Sequence, residues 1–338
     1  FGMNIYKLVD LEIIIAYLET VMTNKTGILI SLLFLCSTVA QAKQIEVKGD
    51  PVALSRSGEY YSAPMWSPNG DRVAVGGASY TGLYLLDFPT GNVQQISNDY
   101  SAGYGFSWSH DGLHIASKIS HFDKMKRSHT LVSFDVSDGT MEALSAPRSM
   151  MSGKPVWTSD DSHLFLTFVE KFESFKIGNA NMRLNTPLLH YIKEGHFQTR
   201  LAQQGVTEPS EITRFSNQDR ISSYAVSPDG SQVVYSTVGQ NLWLAEINGE
   251  NRISLGSGIA PSWSPDGGWV VYMLTEDDGH RILNSDIFII SIKEKSSLNI
   301  TNTPETREMH PQWSPDGNWI VYDTDNRGQI FIQQLGWR

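Results

Sequence analysis

Cysteine is almost missing from this chain: its 338 residues hold one, Cys36. A disulfide framework and a thiolate-rich metal site are therefore closed to the bulk of the sequence. Charge is scarce, at 18% of residues, and it leans acidic, with 26 Lys and Arg against 36 Asp and Glu. No basic patch stands out against the net charge of −10, which argues against a nucleic-acid partner. No Gly-x-Ser-x-Gly elbow occurs, so the nucleophile of an α/β-hydrolase is missing. EF-hand loops are missing too, because Asp277-Asp278 and Asp323-x-Asp325 lack the required Gly and Glu offsets. What remains is an ordinary globular composition, 40% hydrophobic with 28 Gly, able to bury a large core.

The first 42 residues differ from the rest. Met22-Thr23-Asn24-Lys25 precedes an apolar run from Ile28 to Val39, which ends in Ala40-Gln41-Ala42. A cationic start, a short apolar stretch and a small-x-small end read as a signal peptide over 22–42, cut after Ala42. The run is short for a bilayer span. Phe34 and Leu35 before Cys36 do not suit a lipid anchor. Residues 1–21 read as a non-functional segment upstream of a start at Met22. The expected product is periplasmic or secreted, with no membrane span after cleavage and no disulfide.

The main signal is a recurring pentapeptide followed each time by a β-branched and aromatic run. The copies are Trp66-Ser67-Pro68-Asn69-Gly70, Trp108-Ser109-His110-Asp111-Gly112, Trp157-Thr158-Ser159-Asp160-Asp161, Val226-Ser227-Pro228-Asp229-Gly230, Trp263-Ser264-Pro265-Asp266-Gly267 and Trp313-Ser314-Pro315-Asp316-Gly317. Their first positions lie 42, 49, 69, 37 and 50 residues apart. Pro presets φ, Gly tolerates positive φ, and Ser and Asp bond nearby backbone, so each copy is a turn between strands. Turns at this period predict an all-β, six-bladed β-propeller of four-stranded antiparallel blades over 43–338. The last unit ends one strand short at Arg338, while Val52-Ala53-Leu54-Ser55 precedes the first Trp as an unpaired strand. The N-terminal strand is therefore expected to complete the last blade and close the ring. The 69-residue gap predicts 20–25 extra residues within 170–210.

The repeated turns resemble the TolB-like family of WD-like propeller repeats over about residues 50–338. The resemblance implies an exported propeller that serves as a binding or scaffold module. Fewer than ten residues separate the expected cleavage site from the first strand, so the N-terminal domain of TolB is not expected. The same repeats occur in prolyl-oligopeptidase-like propellers, but their hydrolase motif is the one found missing above.

Strand alternation sorts the connections. The Pro-Asp-Gly turns share one face with short third-to-fourth strand turns such as Pro89-Thr90-Gly91. The other face gathers longer polar connections, expected as loops over Ser117–His129, Val169–Thr186 and Met273–Ser285. Long loops on a rigid scaffold commonly carry binding. Candidate ligand-binding residues on that face are His310, Arg307, Tyr104, Lys154, His121, Arg127, His129 and His280. Tyr60, Tyr61, Tyr100 and Glu308 lie in the same set of connections. Aromatic and cationic side chains together suit a peptide or an acidic sugar. His310 is singled out because it sits three residues before Trp313, where other units carry Ala63, Gly105, Lys154, Ser223 and Ala260. Oligogalacturonate lyases are similar propellers with His and Gln around a metal, which gives His310 an alternative role in a metal-dependent polysaccharide lyase or hydrolase. No second His stands beside it in sequence, so no catalytic residue, metal or cofactor is assigned. The expected protein is a monomeric, non-enzymatic scaffold or cell-envelope accessory that binds a protein, peptide or glycan.

Overall fold

The structure, a computed structural model, describes residues 44–338 except 152, 159, 168–171, 179–187, 194–195, 202–210, 215–219, 305 and 326. The readings made on residues 1–42 lie outside the described residues. Gln44–Arg338 forms one compact unit.

Among the described residues, strands form seven antiparallel sheets. The first comprises Tyr61–Trp66, Arg72–Gly77, Leu83–Asp87 and Val93–Ser97. The second comprises Ser107–Trp108, His114–Asp123, Lys126–Asp135 and Met141–Ala143. The third has three strands, Val156–Trp157, His163–Thr167 and Phe172–Lys176, and the fourth has Leu188–Lys193, His196–Leu201 and Glu211–Arg214. The fifth runs Ile221–Val226, Gln232–Thr237, Asn241–Glu246 and Ile253–Ser257, and the sixth Ile259–Trp263, Trp269–Asp277, Ile282–Ser291 and Ser297–Asn299. The seventh joins Glu308–Trp313, Trp319–Thr324 and Ile330–Trp337 to the N-terminal strand Ile45–Ala53. That last pairing runs from Ile45↔Trp337 to Ala53↔Phe331, so an N-terminal strand completes the last sheet as expected, but it begins earlier than Val52–Ser55 and shares only Val52 and Ala53 with that stretch.

The number of sheets departs from the six expected. The 69-residue gap holds more than an insertion: a whole sheet, Leu188 to Arg214, lies inside it. Its first two strands pair from Leu188↔Leu201 to Lys193↔His196, and no copy of the Trp-Ser-Pro-Asp-Gly pentapeptide lies within it. Counting Trp turns therefore passes over it. It adjoins the fifth sheet, since the Tyr224 hydroxyl donates to the His190 carbonyl at 2.5 Å and Ile192 packs with Tyr224 and Val226.

Each Trp turn works as its residues dictate. In the sixth sheet the Ser264 hydroxyl donates to Asp266 at 2.7 Å, Trp269 N–H donates back to Ser264 Oγ at 3.0 Å, and Gly267 N–H to the Ser264 carbonyl at 2.9 Å. Gly267 has φ +69°, so a Cβ there would be strained. The Trp side chains bind neighbouring sheets together. Trp263 is buried and its indole N–H donates to the Ala225 carbonyl at 2.9 Å, as Trp157 does to Ser107 at 3.1 Å. Trp263→Ala removes that bond and opens a cavity, and a loss of about 3–5 kcal/mol is expected in urea unfolding. Trp263→Phe keeps most of the volume and should cost about 1–2 kcal/mol.

The third turn, which lacks Pro and Gly, is matched by its neighbour. His110 replaces Pro in the second turn and Asp161 replaces Gly in the third. The Asp161 carboxylate accepts from His110 N–H at 2.9 Å and Asp111 N–H at 2.9 Å, and lies 2.8 Å from His110 Nδ1. A polar clasp thus stands where other sheets stack proline on glycine: a Cβ on Gly70 would sit 3.6 Å from Pro315 Cδ. This second contact places the last turn against the first and closes the ring at the turn face.

Two expected loops are strands. Ser117–His129 lies mostly within the ribbon His114–Asp123 and Lys126–Asp135, paired through to Asp123↔Lys126. Met273–Ser285 lies mostly within Trp269–Asp277 and Ile282–Ser291. Their polar residues read as loop because the outer ends of these ribbons, His121 to Arg127 and Glu276 to Arg281, are exposed on both faces and the alternation fades there. Of Val169–Thr186, Phe172–Lys176 is strand and parts lie outside the described residues.

Candidate functional site: the mouth of the propeller

The innermost strands begin with a kink. Three residues before the Trp, Ala63, Gly105, Ala260 and His310 all have φ between +51° and +62°. Register shifts accompany the kink at Ser62/Met65, Ile259/Ser262 and Met309/Gln312. A bulge of this kind redirects the backbone N–H and the side chain out of the ladder. The redirected groups meet a side chain ten residues after the Trp or its contacts. Ala63 N–H donates to Asp323 Oδ2 at 3.3 Å across the ring seam. Ala260 N–H donates to Ser223 Oγ at 3.1 Å, and Ser223 lies 2.6 Å from Ser236 Oγ. Lys118, at the matching position of the second sheet, donates from Nζ to the Gly153 carbonyl at 2.5 Å and the Met151 carbonyl at 3.4 Å. His310 thus occupies a position built into the repeat, and it carries a titratable ring there.

One side of the mouth is aromatic and acidic. A cavity of about 440 Å³ is lined by Tyr60, Ser62, Ser79, Tyr80, His310, Asp323 and Asp325, among others. His310 Nδ1 lies 2.9 Å from Asp323 Oδ1, whose side chain is buried. Arg307 Nε donates to Asp325 Oδ2 at 3.2 Å, and the Tyr60 hydroxyl donates to the Asp325 carbonyl at 3.1 Å. Burial and the nearby Asp325 and Asp323 raise the Tyr60 phenol above its ordinary range, so it stays a donor at neutral pH. For His310, burial works against protonation, but the bond to Asp323 and the charges of Asp323 and Asp325 outweigh it, and the imidazole is raised. A raised folded value means that the pair stabilises fully below the unfolded His value, about 6.5, and that this contribution is lost as pH rises through the higher folded value. Melting curves across pH 5 to 9 should show that decline, and Asp323→Asn should flatten it.

The other side is basic. Arg127 Nη2 donates to Ser101 Oγ at 2.7 Å and Ser120 Oγ at 3.1 Å, and His129 Nδ1 lies 3.0 Å from Ser120 Oγ. Burial first, then the charges of Arg127, Lys118 and His121, lower the His129 imidazole and favour its neutral form. Lys118 is buried, and the lost hydration lowers its ammonium to about 8. Lys154 is also lowered to about 8 by desolvation, although its side chain keeps access to solvent. Such access tempers the effect, so Lys118 is the lysine whose depression the geometry supports more firmly. Tyr104 joins the two sides. Lys118 Nζ lies 5.9 Å from its ring centroid, and its ring meets Tyr80 edge-on at 5.1 Å.

Of the sequence candidates, His310 and Arg307 share the first side, Arg127 and His129 share the second, and Tyr104 bridges them. His121 is exposed farther along the same ribbon, and His280 stands in the turn after Asp278, its N–H bonded to Asp278 Oδ1 at 2.9 Å. Tyr61 is buried in the core instead. Sequence reasoning missed Tyr80 and Lys118, and it weighed Asp323 only as part of an EF-hand-like pair. The repeat did hold a signal for Lys118 and Asp323, because both fall ten residues after a Trp. Among the described residues, no three His, Cys, Asp or Glu side chains gather as a metal cluster. A second cavity of about 320 Å³ lies on the turn face, lined by Asn69, Arg72, Leu113 and Asp135 among others. Arg72 there is paired with Asp87 at 3.4 Å, and the lining is otherwise turn residues.

Comparison with known proteins agrees with this architecture. The family model of the TolB β-propeller domain matches residues 190–336. No curated protein sequence matches the chain. Among solved structures, an oligogalacturonate lyase from Vibrio parahaemolyticus superposes with a TM-score of 0.56 at 14% identity, covering 86% of this chain and 97% of that one. TolB from Acinetobacter baumannii superposes with a TM-score of 0.50 at 19% identity, covering 77% of this chain and 59% of that one. The Cps50 (Swd1) β-propeller domain of Myceliophteria thermophila gives 0.59 at 13% identity, over 86% of this chain and 99% of that one. These likenesses establish a β-propeller fold of TolB type.

Proposed function

We propose that this TolB-type propeller is an exported, non-enzymatic binding module that takes a protein, peptide or glycan at the mouth. The observation that carries the reading is the convergence of Arg307, His310, Tyr60, Tyr80, Tyr104, Lys118, Arg127 and His129 on one face, with acidic and basic groups joined by aromatic rings. Aromatic rings supply stacking area at small entropic cost, and fixed charges on both sides orient a polar ligand. Export rests on the signal-like segment 22–42. No helix among the described residues is long and apolar enough to cross a membrane.

The second reading, a lyase or hydrolase, is favoured by one observation, the contact between His310 and the buried Asp323, which could position a general base. Glycan and peptide arrays probed with the 44–338 protein separate the two. The binding reading expects a retained ligand that is lost on Arg307→Ala together with His310→Ala, and no turnover of uronic-acid oligomers. Release of unsaturated oligomers, abolished by His310→Ala, would replace it with the lyase reading. A ligand insensitive to both substitutions would remove the mouth from either.

A further inference from the structure

The ribbon that carries Arg127 and His129 ends in a tip unlike the rest of this acidic chain. Asp123 pairs with Lys126 across a two-residue turn, Lys124-Met125, with Lys124 at φ +54°. Turns of this length favour Asn or Gly at such a position, so turn geometry does not account for the residues found. Met125 is fully exposed and Phe122 is 58% exposed. Tyr100 is 59% exposed and meets Phe122 edge-on at 5.4 Å. Ser120 N–H donates to the Tyr100 carbonyl at 2.7 Å, which ties that ring to the ribbon. The Arg127 guanidinium lies 5.6 Å from the Phe122 ring centroid. Three of the four residues from Lys124 to Arg127 are cationic, in a chain of net charge −10. The stretch is too short to stand out in composition, and only the ribbon makes it a projection.

We propose that this tip docks the propeller on an anionic phospholipid surface. An apolar point ringed by cations is the arrangement that enters the headgroup layer, with Met125 and Phe122 below the phosphates and Lys124, Lys126 and Arg127 among them. The acidic remainder of the protein is repelled by the same surface, which leaves the tip as the approach of least electrostatic cost. Asp123 is the one acidic residue within the tip, and His121 stands on the same ribbon. The tip projects from the face that holds the mouth, so a docked molecule opens its mouth toward the membrane. A protein partner with an acidic surface is the competing occupant. Such a partner would use the same charges but would give no affinity for bare lipid.

Flotation of the 44–338 protein with vesicles tests the docking. Phosphatidylglycerol–phosphatidylcholine vesicles are the probe, and pure phosphatidylcholine vesicles are the control. Binding to the anionic vesicles alone is expected, weakening with salt. Lys124→Glu with Lys126→Glu should lower the partition coefficient about tenfold or more, and Met125→Asp should lower it with the lysines intact. The substituted side chains are exposed and make no core contacts, and an unchanged melting curve checks that the variants fold. Equal binding to both vesicle types, no binding to either, or variants that float like the parent would each overturn the proposal. Binding at the mouth does not depend on this outcome, because the array ligands contain no lipid.

Discussion

A chain that begins at Leu54, without the strand Ile45–Ala53, is expected to melt at least about 10 °C below one that begins at Gln44 and to aggregate on heating. The strand closes the seventh sheet along Ile330–Trp337, and Ile45 and Val47 pack against the cluster that includes Trp313, Ile320 and Leu335. Its removal uncovers that apolar surface and leaves an unpaired sheet edge. Each lost ladder bond contributes about 0.5–1.5 kcal/mol, and the uncovered apolar area adds to this. The loss should exceed about 5 kcal/mol, because one deletion removes both terms together. Differential scanning calorimetry of the two chains checks it. An unchanged transition would mean that the ring is held without its N-terminal strand.

Glu308→Gln is expected to stabilise the protein by about 2–3 kcal/mol at pH 8 and to change little at pH 4. Glu308 is 2% exposed, and burial is the main cause that lifts its carboxyl to about 7. The Thr303 hydroxyl donates to Oε1 and opposes the rise, the Asp286 charge adds to it, and Oε2 has no partner among the described residues. The unfolded carboxyl ionises near 4.3. Folding therefore favours the proton, so stability is full below that value, falls as pH rises from it toward 7, and carries the whole penalty above 7. Gln removes the charge and keeps the shape. Urea unfolding at the two pH values reads the difference, and a destabilised variant at pH 8 would show that the carboxylate is satisfied in the fold.

Much of this architecture is legible in the sequence because its turns are chemically explicit. Ser, Pro, Asp and Gly each do one local task, so six hairpins, the strand phases and the closing strand follow from residues alone. The fourth sheet does not follow, since no Trp-Ser-Pro-Asp-Gly copy lies within it. The outer parts of two ribbons, within 117–129 and 273–285, read as loops for a related reason. They leave the core, and burial is what imprints alternation on a strand. At the mouth, His310 and Arg307 are visible as departures from the repeat. Asp323 is marked only by falling ten residues after Trp313, and it is the strand register that places it beside the first sheet. Tyr80 is hidden in a short turn, Ala78–Tyr80, whose Ser79 has φ +52°.

Hydroxyl-radical footprinting of the protein with and without a ligand drawn from the arrays tests the central claim most directly. If the mouth is the binding site, Tyr60, Tyr80, Tyr104 and Met309 become protected, while Leu113, exposed on the turn face beside the second cavity, reacts as before. Protection of Leu113 with the mouth tyrosines unchanged would contradict the account and move the site to the opposite face.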